Sequence, residues 1–417
     1  MIIINTSIVR FSVRACLLIG LVLQSHSWAK GAEENSLVLP ALLDALEQNP
    51  RLDARRAAVD AKAARLEIVE SERLPRLQFS GDGDLLSTNT TQQSLTASLE
   101  HTLYDWGSLQ AGIDSATANR DAEALRAEAT ALDLKLAVVE NFVAASSASL
   151  RQGAMQAGRA TAEELRDLMQ RRVAQRVNPG SDLLIVDSRI AQLESSQLQF
   201  QGAERDAQLS LLQLTGYRAK VDRELNCTAT LDEAALAQLA TDTSPELASA
   251  RASSRSIRSE FGAVDAKRLP AIVAGVSITR DLDEGDSDAR GFLSFRYNYD
   301  LGNTLDTELA ELEAEYAAAQ FEERRIAQQV VRETAGLVNQ YWVNAQQLPL
   351  LQSMVKLRTD QLASHTRRFA SGKSTWLDLM SAESDLVDAR LTEIQARAST
   401  CLAVLSLEQI TGRNLSE

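Results

Sequence analysis

The stretch LYDWG occupies Leu103–Gly107, and a close relative, NYDLG, occupies Asn298–Gly302. The two copies stand 195 positions apart, and each places an aromatic residue, an aspartate and a glycine in the same order. Self-similarity at a long fixed spacing indicates a duplicated structural unit. The fold therefore depends on what surrounds each copy.

The sequence around the two stretches is repeated as well. Pro50 and Pro75 are 25 positions apart before the first stretch, and Pro245 and Pro270 have the same spacing before the second. The tripeptides LTG and ITG close the two copies. The sequence therefore predicts a first repeat at residues 41–216, a connection at 217–242 and a second repeat at 243–412.

An export signal precedes the repeats. Two arginines stand before an apolar run at Ala15–Leu23, and small residues follow it. The run is well below the ~20 residues that a membrane-spanning helix needs. Residues 1–29 are therefore predicted to be a secretory signal peptide, with cleavage after Ala29 or Ala32.

The composition favours long helices packed side by side, because Ala, Leu, Gln, Glu and Arg dominate and aromatic residues make up 5%. The formal net charge of -14 becomes -16 when the two positive charges of Arg10 and Arg14 leave with the signal. Such a charge disfavours nucleic acid as a partner. Cationic cargo or a basic protein partner suits the chain better.

The sequence contains no arrangement that supports catalysis or a cofactor. His101 and His365 are the histidines beyond the signal, and no Cys or second His stands near either in sequence. A Gly-rich phosphate loop is absent, and the acidic stretch from Asp281 lacks the closing Glu of a calcium loop. The chain is predicted not to be an enzyme, so any energy must come from a partner.

Two cysteines, Cys227 and Cys401, remain after the signal. An exported chain with one such pair permits a single disulfide. Two separate small buried residues are an equally good interpretation of the sequence.

Each module changes its periodicity from helix to strand and back to helix. Helical spacing covers Ala41–Arg73, Ser108–Arg176 and Asp182–Leu214, and in the second module it covers Gly302–Ser371 with an interruption at Pro349. At 1.5 Å per residue, the long helix of the first module spans ~100 Å and each shorter one ~50 Å. Two short helices stacked end to end therefore match one long helix, which predicts a rod of antiparallel helices.

Between these helices, apolar and polar residues alternate with the two-residue period of a strand. Strands are predicted from Leu77 and at Ser94–Tyr104 in the first module, and from Ile272 and at Arg290–Tyr299 in the second. The apolar positions of the last strand have the opposite parity to those of the first module. A bulge or an extra residue must therefore intervene in one of the copies.

Strands of ~10 residues with one apolar face are typical of tilted strands that cross an outer membrane. Four strands per chain cannot close a barrel, and unpaired backbone groups in hydrocarbon each cost several kcal/mol. Two chains would supply eight strands and three would supply twelve. The pattern predicts an oligomeric channel, and the alternative is a soluble periplasmic coiled-coil adaptor or structural rod.

The motifs ALEQNPRL, RLPRL, LYDWG, RVNPGSDLLIVDS and LTG follow one another in the first repeat, and related motifs recur in the same order in the second. Their order resembles that of the TolC-like outer membrane efflux protein family. The resemblance covers Ala41 to Gly412 and implies a mainly α fold, in which a long antiparallel α-helical barrel continues a transmembrane β-barrel. It implies a homotrimer in the outer membrane, with four strands per chain, and a long periplasmic extension.

The implied partners are a periplasmic adaptor (membrane fusion protein) and an inner-membrane pump. The implied function is export of small molecules or proteins, in efflux or type I secretion.

The resemblance also assigns roles to single residues. Asp105 and Gly107, and Asp300 and Gly302 in the second copy, mark the turns from strand into long helix. Glycine there permits unusual backbone angles, and the aromatic neighbours suit a membrane-water boundary.

The family closes its pore with polar contacts and an acidic ring. Asp378 stands at the first ring position, and Ser381 replaces the second acidic residue. Asp182 matches the acidic partner of a tyrosine, but the tyrosine position holds Phe369, which has no hydroxyl. Ser374 replaces the basic residue of the same lock, so the bonding of the gate departs from the family pattern.

The helix-to-helix turns match the segments of the family that face the adaptor. Their small and polar residues allow close approach of a helical hairpin. The predicted adaptor-facing residues are Val177, Asn178, Pro179, Gly180, Ser181, Gly372, Lys373, Ser374 and Thr375.

Overall fold

The structure is a computed structural model that describes residues 36–83, 93–222, 224–282, 285–297 and 301–415. The predicted signal peptide and Asp300 lie outside the described residues. In chain order the described strands and α-helices are β1 (Ser36–Leu37), α1 (Leu39–Asp44), α2 (Pro50–Ser71), β2 (Arg76–Gly83), β3 (Gln93–Tyr104), α3 (Ser108–Ala174), α4 (Ser181–Thr215), β4 (Arg218–Ala219), α5 (Glu233–Thr243), α6 (Pro245–Asp265), β5 (Ala271–Asp281), β6 (Ser287–Arg296), α7 (Thr304–Ala370) and α8 (Trp376–Thr411). Short 3-10 helices follow α1 (Ala45–Gln48) and α6 (Ala266–Arg268).

The predicted hairpins form one antiparallel sheet at one end of the molecule. Within the described ranges its strand order is β2-β3-β5-β6, so β2 and β6 are the edges. Leu77 pairs with Leu99, and Leu99 in turn pairs with Val276. This register places most apolar residues of the four strands on one face, whereas Val273 and Phe292 lie on the other.

That apolar face is open to the surroundings in the single chain. The opposite face carries Gln78, Ser80, Thr96, Ser98 and Thr279, and Thr96 and Thr279 are joined by a hydroxyl hydrogen bond of 3.1 Å. Exposed apolar side chains of this kind are costly in water and favourable in lipid. The exposed apolar residues of this face are Leu77, Phe79, Leu95, Leu99, Tyr104, Val276, Ile278, Leu293 and Phe295, and Leu103 of β3 is exposed as well.

The apolar positions of the last strand are shifted by one residue relative to those of the first module, which requires an extra residue in one copy. That residue is Leu103, in the first module. The register between β3 and β5 shifts there, because Thr102 pairs with Val273 and Tyr104 with the adjacent Ile272. The β5-β6 pairing continues without a shift. A bulge therefore restores the common apolar face.

Two helical layers follow the sheet, both built around the long helices α3 and α7. Near the sheet the order of neighbours is α2-α3-α6-α7, and farther away it is α4-α3-α8-α7. The shorter helices therefore stack end to end in two columns, one formed by α2 and α4 and the other by α6 and α8. No helix in the described part of the chain has the length and apolar character needed to cross a membrane.

Asn49 joins the stacked helices α4 and α2. Its Oδ1 accepts a hydrogen bond from the Arg51 amide (2.9 Å), and its Nδ2 donates to the Leu214 carbonyl (2.8 Å). The prediction of one helix over Ala41–Arg73 is therefore wrong, since the chain turns between α1 and α2. Pro50 lacks an N–H and suits the first turn of a new helix, where no partner is needed.

The predicted interruption at Pro349 is also wrong, because α7 runs through it from Thr304 to Ala370. A proline inside a helix removes one backbone hydrogen bond, here to residue 345. Pro349 lies on an exposed side of α7, so water can take the freed carbonyl. The predicted last strand also starts and ends earlier than expected, at Ser287–Arg296.

The connection between the repeats packs against the outside of the helices. β4 pairs in parallel with β1, and Cys227 forms a disulfide with Cys401 of α8. Arg397 of α8 also binds the connection, through the Glu224 carbonyl (3.3 Å) and the Asn226 side chain (3.1 Å). Of the two interpretations of the cysteines, the disulfide is the one that the structure contains.

Candidate functional site

The end of the helical layers opposite the sheet consists of two short turns, one after α3 and one after α7. Both long helices end on a residue with left-handed backbone, Arg176 (φ 58°) and Gly372 (φ 74°). The next amide, from Val177 or Lys373, donates to the carbonyl five residues earlier at 2.9 and 2.8 Å. The two turns thus end their helices in the same way.

Asp378 lies at the start of α8, on the exposed surface of the second turn. Its Oδ2 accepts from the Thr375 amide (3.0 Å) and the Ser374 hydroxyl (3.3 Å), while the Asp378 amide donates to Thr375 Oγ1 (3.1 Å). These hydrogen bonds with Thr375 and Ser374, together with the nearby His365, lower the pKa of Asp378. The carboxylate therefore stays charged at neutral pH.

Asp182 lies at the start of α4 and belongs to a closed set of contacts across both turns. Its Oδ2 accepts from Asn178 Nδ2 (2.9 Å), and its backbone carbonyl accepts from Trp376 Nε1 (3.1 Å). Arg172 donates to Asn178 Oδ1 (2.8 Å) and lies 4.6 Å from the centre of the Phe369 ring. The two turns are thereby tied together within one chain.

Phe369 does not lie at the surface where a gate contact would be made. Its side chain is 2% exposed and packs against Trp376, with 5.4 Å between the ring centres. It belongs to an apolar cluster that includes Met169, Leu193 and Leu379. Its position supports the fold of the tip rather than a polar lock.

The other predicted tip residues lie at the surface. Ser381 is exposed one turn into α8, and Lys373 is exposed on the second turn. Pro179 and Gly180 each accept a backbone hydrogen bond of 3.2 Å from the start of α4, which begins at Ser181. The tip therefore presents small and polar groups around an ordered backbone.

The turn from strand to long helix is well defined in the first module. Asp105 accepts from the amides of Gly107 (3.1 Å) and Leu109 (2.7 Å), and Gly107 has φ 86°. In the second module the residue with left-handed backbone just before α7 is Asn303 (φ 55°), one position after Gly302. Asn303 thus takes the structural place of Gly107, which the prediction gave to Gly302.

A buried ion pair behind the tip was not predicted. Arg189 Nε donates to Glu383 Oε2 (2.8 Å), and the Glu383 side chain is 1% exposed. Glu383 Oε1 and Arg189 Nη2 have no hydrogen-bond partner within the described residues. Burial raises the pKa of Glu383, and Arg189 opposes this shift. The sequence signal that could have indicated this pair is the position of Glu383, a charged residue on the apolar side of α8.

Comparisons with known proteins agree with the architecture. The outer membrane efflux protein family matches residues 41–217 and 236–413. The structure of the outer-membrane channel OprN is similar, with a TM-score of 0.80, 18% identity and coverage of 90% of this chain and 89% of that one. VceC from Vibrio cholerae has a TM-score of 0.80 and 17% identity, with coverage of 91% of this chain and 97% of that one. CmeC from Campylobacter jejuni has a TM-score of 0.79 and 14% identity, with coverage of 91% of this chain and 86% of that one. No curated protein sequence matches.

The chain belongs to the outer membrane efflux protein family, since the family match covers most of its length. It is an outer membrane channel protein whose helices extend into the periplasm, as the resemblance implied. The alternative of a soluble adaptor or rod is therefore set aside. The mixed, mainly α fold with a helical tunnel and a strand barrel is confirmed.

Proposed function

We propose that three copies of this chain form the outer duct of a three-part export assembly. A periplasmic adaptor and an inner-membrane pump complete the assembly and supply the energy. The cargo is small molecules or proteins. The chain itself acts as a passive channel and not as an enzyme.

The observation that carries this proposal is that the sheet and both helical layers end on matching edges. In the described part of the chain the sheet ends at β2 and β6, and the helical layers end at the α2/α4 column and at α7. Exposed apolar side chains lie on these edge helices. Neighbouring copies would pair β6 with β2 and cover α7 with α2 and α4, which closes all layers at once.

Three copies suit a duct better than two. Eight strands enclose an interior that side chains fill, whereas twelve leave room for a lumen. Channels of this family typically form trimers and work with an adaptor and a pump. The repeat boundaries 41–216, 217–242 and 243–412 are part of the same proposal.

In the trimer we place Asp378 in an acidic ring at the periplasmic end of the lumen, with Ser381 one turn deeper. Asp182, Phe369 and Ser374 belong to the same gate region, where Phe369 supports the turn from behind. The helix-to-helix turns form the surface that receives the adaptor. The exposed polar groups of both turns support this assignment.

Single-channel recording in a planar bilayer tests the duct and its ring together. The wild-type trimer should give stable, low-conductance openings that prefer cations, because three carboxylates would surround the pore. Asp378→Asn removes the charges and should lower the cation preference several-fold, as measured by the reversal potential in a salt gradient.

Asp306→Asn is the matched control, because Asp306 is exposed near the other end of α7. Unchanged selectivity in Asp378→Asn would contradict the ring, and a protein that never inserts would contradict the duct.

The apolar face of the sheet allows a second test with adjacent residues. Phe79 is on that face and 75% exposed, whereas Gln78 is on the polar face. Phe79→Arg should cost about 2–4 kcal/mol if the position lies near the bilayer midplane, whereas Gln78→Arg should cost little. The measurement is the fraction of trimer inserted into vesicles, assayed by flotation. Equal insertion of the two variants would contradict the orientation of the sheet.

A further inference from the structure

A cavity of about 650 Å³ lies where α8 ends and α6 begins, between α3 and α7. At the equivalent break in the first repeat, the Asn49 amide bridges the two helices. Ser244 stands at the second break, and its shorter side chain caps α6 by accepting from the Leu247 amide (3.2 Å). At this break Thr243 binds the end of α8, through a hydrogen bond from its Oγ1 to the Ile410 carbonyl (3.2 Å).

Two carboxylates face this cavity from opposite walls, Asp133 on α3 and Glu333 on α7. Neither forms a salt bridge within the described residues, although Glu333 accepts a hydrogen bond from Gln329 (2.9 Å). Burial and, second, the negative charge of Glu333 raise the pKa of Asp133. Both carboxylates line the same cavity, so a cation between them would lower their mutual repulsion.

The arginines of the lining do not neutralise this pair. Arg55 and Arg126 both bind Glu123, at 3.2 and 3.0 Å, and the Glu123 side chain is 8% exposed. The described lining contains two more acidic than basic side chains. The cavity therefore has an excess of negative charge.

A buried hydroxyl lines the same cavity without a partner. Thr334 is 1% exposed, and within the described residues its Oγ1 makes no hydrogen bond. Other threonines in the helices of this chain, such as Thr130, Thr400 and Thr411, donate to the carbonyl four residues earlier. An unsatisfied buried hydroxyl is unfavourable, so a ligand that bonds to it is stabilised.

The wall also contains aliphatic side chains, and the cavity has a size that suits a small organic molecule. A volume near 650 Å³ is in the range of small-molecule sites, roughly 300–1,000 Å³. The described residues contain no group of three or more metal-ligand side chains, which speaks against a metal ion as the occupant. The larger aliphatic side chains of the lining are Leu132, Leu136, Ile326, Val330 and Ile410.

We propose that this cavity binds a small organic cation, consisting of an ammonium group on an apolar body. The ammonium lies between Asp133 and Glu333 and donates to Thr334 Oγ1, while the apolar body contacts the aliphatic wall. The site is additional to the duct, and binding to it requires neither transport nor a partner.

Dansylcadaverine is a suitable probe, because it joins a primary ammonium to a dansyl group whose fluorescence rises in apolar surroundings. The purified full-length trimer in detergent should bind one probe per chain. Asp133→Asn and Glu333→Gln should each weaken binding about ten-fold, the loss expected for one charge-assisted hydrogen bond. Thr334→Val should weaken it several-fold, and Glu315→Gln, an exposed position on α7 outside the cavity, should have no effect.

Neutral dansylamide serves as the ligand control and should bind far more weakly. Equal binding of dansylamide would overturn the proposal, as would unchanged affinity in Asp133→Asn and Glu333→Gln trimers that elute as the wild type does. Since the titration needs no channel activity, its failure is distinguishable from a failure of the conductance experiment.

Discussion

Replacing Arg189 with Met should destabilise the helical tip by about 3–5 kcal/mol at pH 8, the usual cost of removing one partner from a buried ion pair. Glu383 would then remain 1% exposed with neither oxygen paired to a cation. The fall in the midpoint of thermal unfolding, followed by circular dichroism at 222 nm in detergent, measures the loss.

The loss should depend on pH in a defined direction. The native pKa of Glu383 is raised, so the folded state binds this proton more readily than the unfolded state. The stability from Glu383 is therefore present at low pH and is lost as pH rises through the native pKa. Without Arg189 the pKa rises further, so the difference between variant and wild type should shrink towards pH 5.

Two further variants separate a buried charge from general disruption. Arg166→Met removes an arginine whose partner, Asp187, is half exposed, so its effect should be small. Arg189→Met combined with Glu383→Leu replaces both charges by apolar groups and should recover most of the stability. A loss in Arg189→Met that is independent of pH, or no larger than that of Arg166→Met, would contradict the role of the pair.

The strands and long helices were predictable because their signals are local. The alternation of apolar and polar residues that begins at Leu77 and at Ile272 indicates a strand with one apolar face. In the structure both series lie on the apolar face of the sheet, where Leu77 pairs with Leu99 and Ile272 with Phe295. The turn at Asp105 was also predictable, since Asp and Gly suit a tight change of direction. Repetition in the two modules reinforced each of these signals.

The errors occurred where one proline had two possible meanings. Pro50 begins α2, whereas Pro349 lies inside α7. Good helix-forming residues surround both prolines, so the local sequence does not tell whether the proline begins a helix or lies within one. The opposite parity of the last strand was seen, but its cause, a bulge at Leu103, depends on pairing with a strand of the other module. Such non-local pairing has no signature in one segment.

The helix-to-helix turns that carry the candidate site were predictable in position, but the contacts within them were not. The residue types at Asp378 and Thr375 indicate a helix start, and they form a capping pair. The packing of Arg172 on Phe369 joins residues 197 positions apart, and the Arg189–Glu383 pair joins residues 194 apart. The roles of these residues in a gate remain predictions until currents are measured.

Removing the disulfide between Cys227 and Cys401 should be the other large effect. The bridge spans 174 positions, and the loop-closure entropy of such a span corresponds to about 5 kcal/mol as an upper value. Cys227→Ala with Cys401→Ala should therefore lower the midpoint of thermal unfolding by several degrees. The cavity from the lost sulfur atoms is small, so the loss reflects mainly the cross-link.

The disulfide also fixes the connection to α8, which gives the prediction a local readout. Limited proteolysis should cut the connection within 217–232 faster in the double variant, because non-covalent contacts alone would then hold it, among them the β1–β4 pairing and the hydrogen bonds of Arg397, Ser146 and Tyr341. A reducing agent should reproduce both changes in the wild type and add nothing in the variant. If reduction leaves the unfolding midpoint and the cleavage rate of the wild type unchanged, the helices alone hold the connection and the disulfide has no stabilising role.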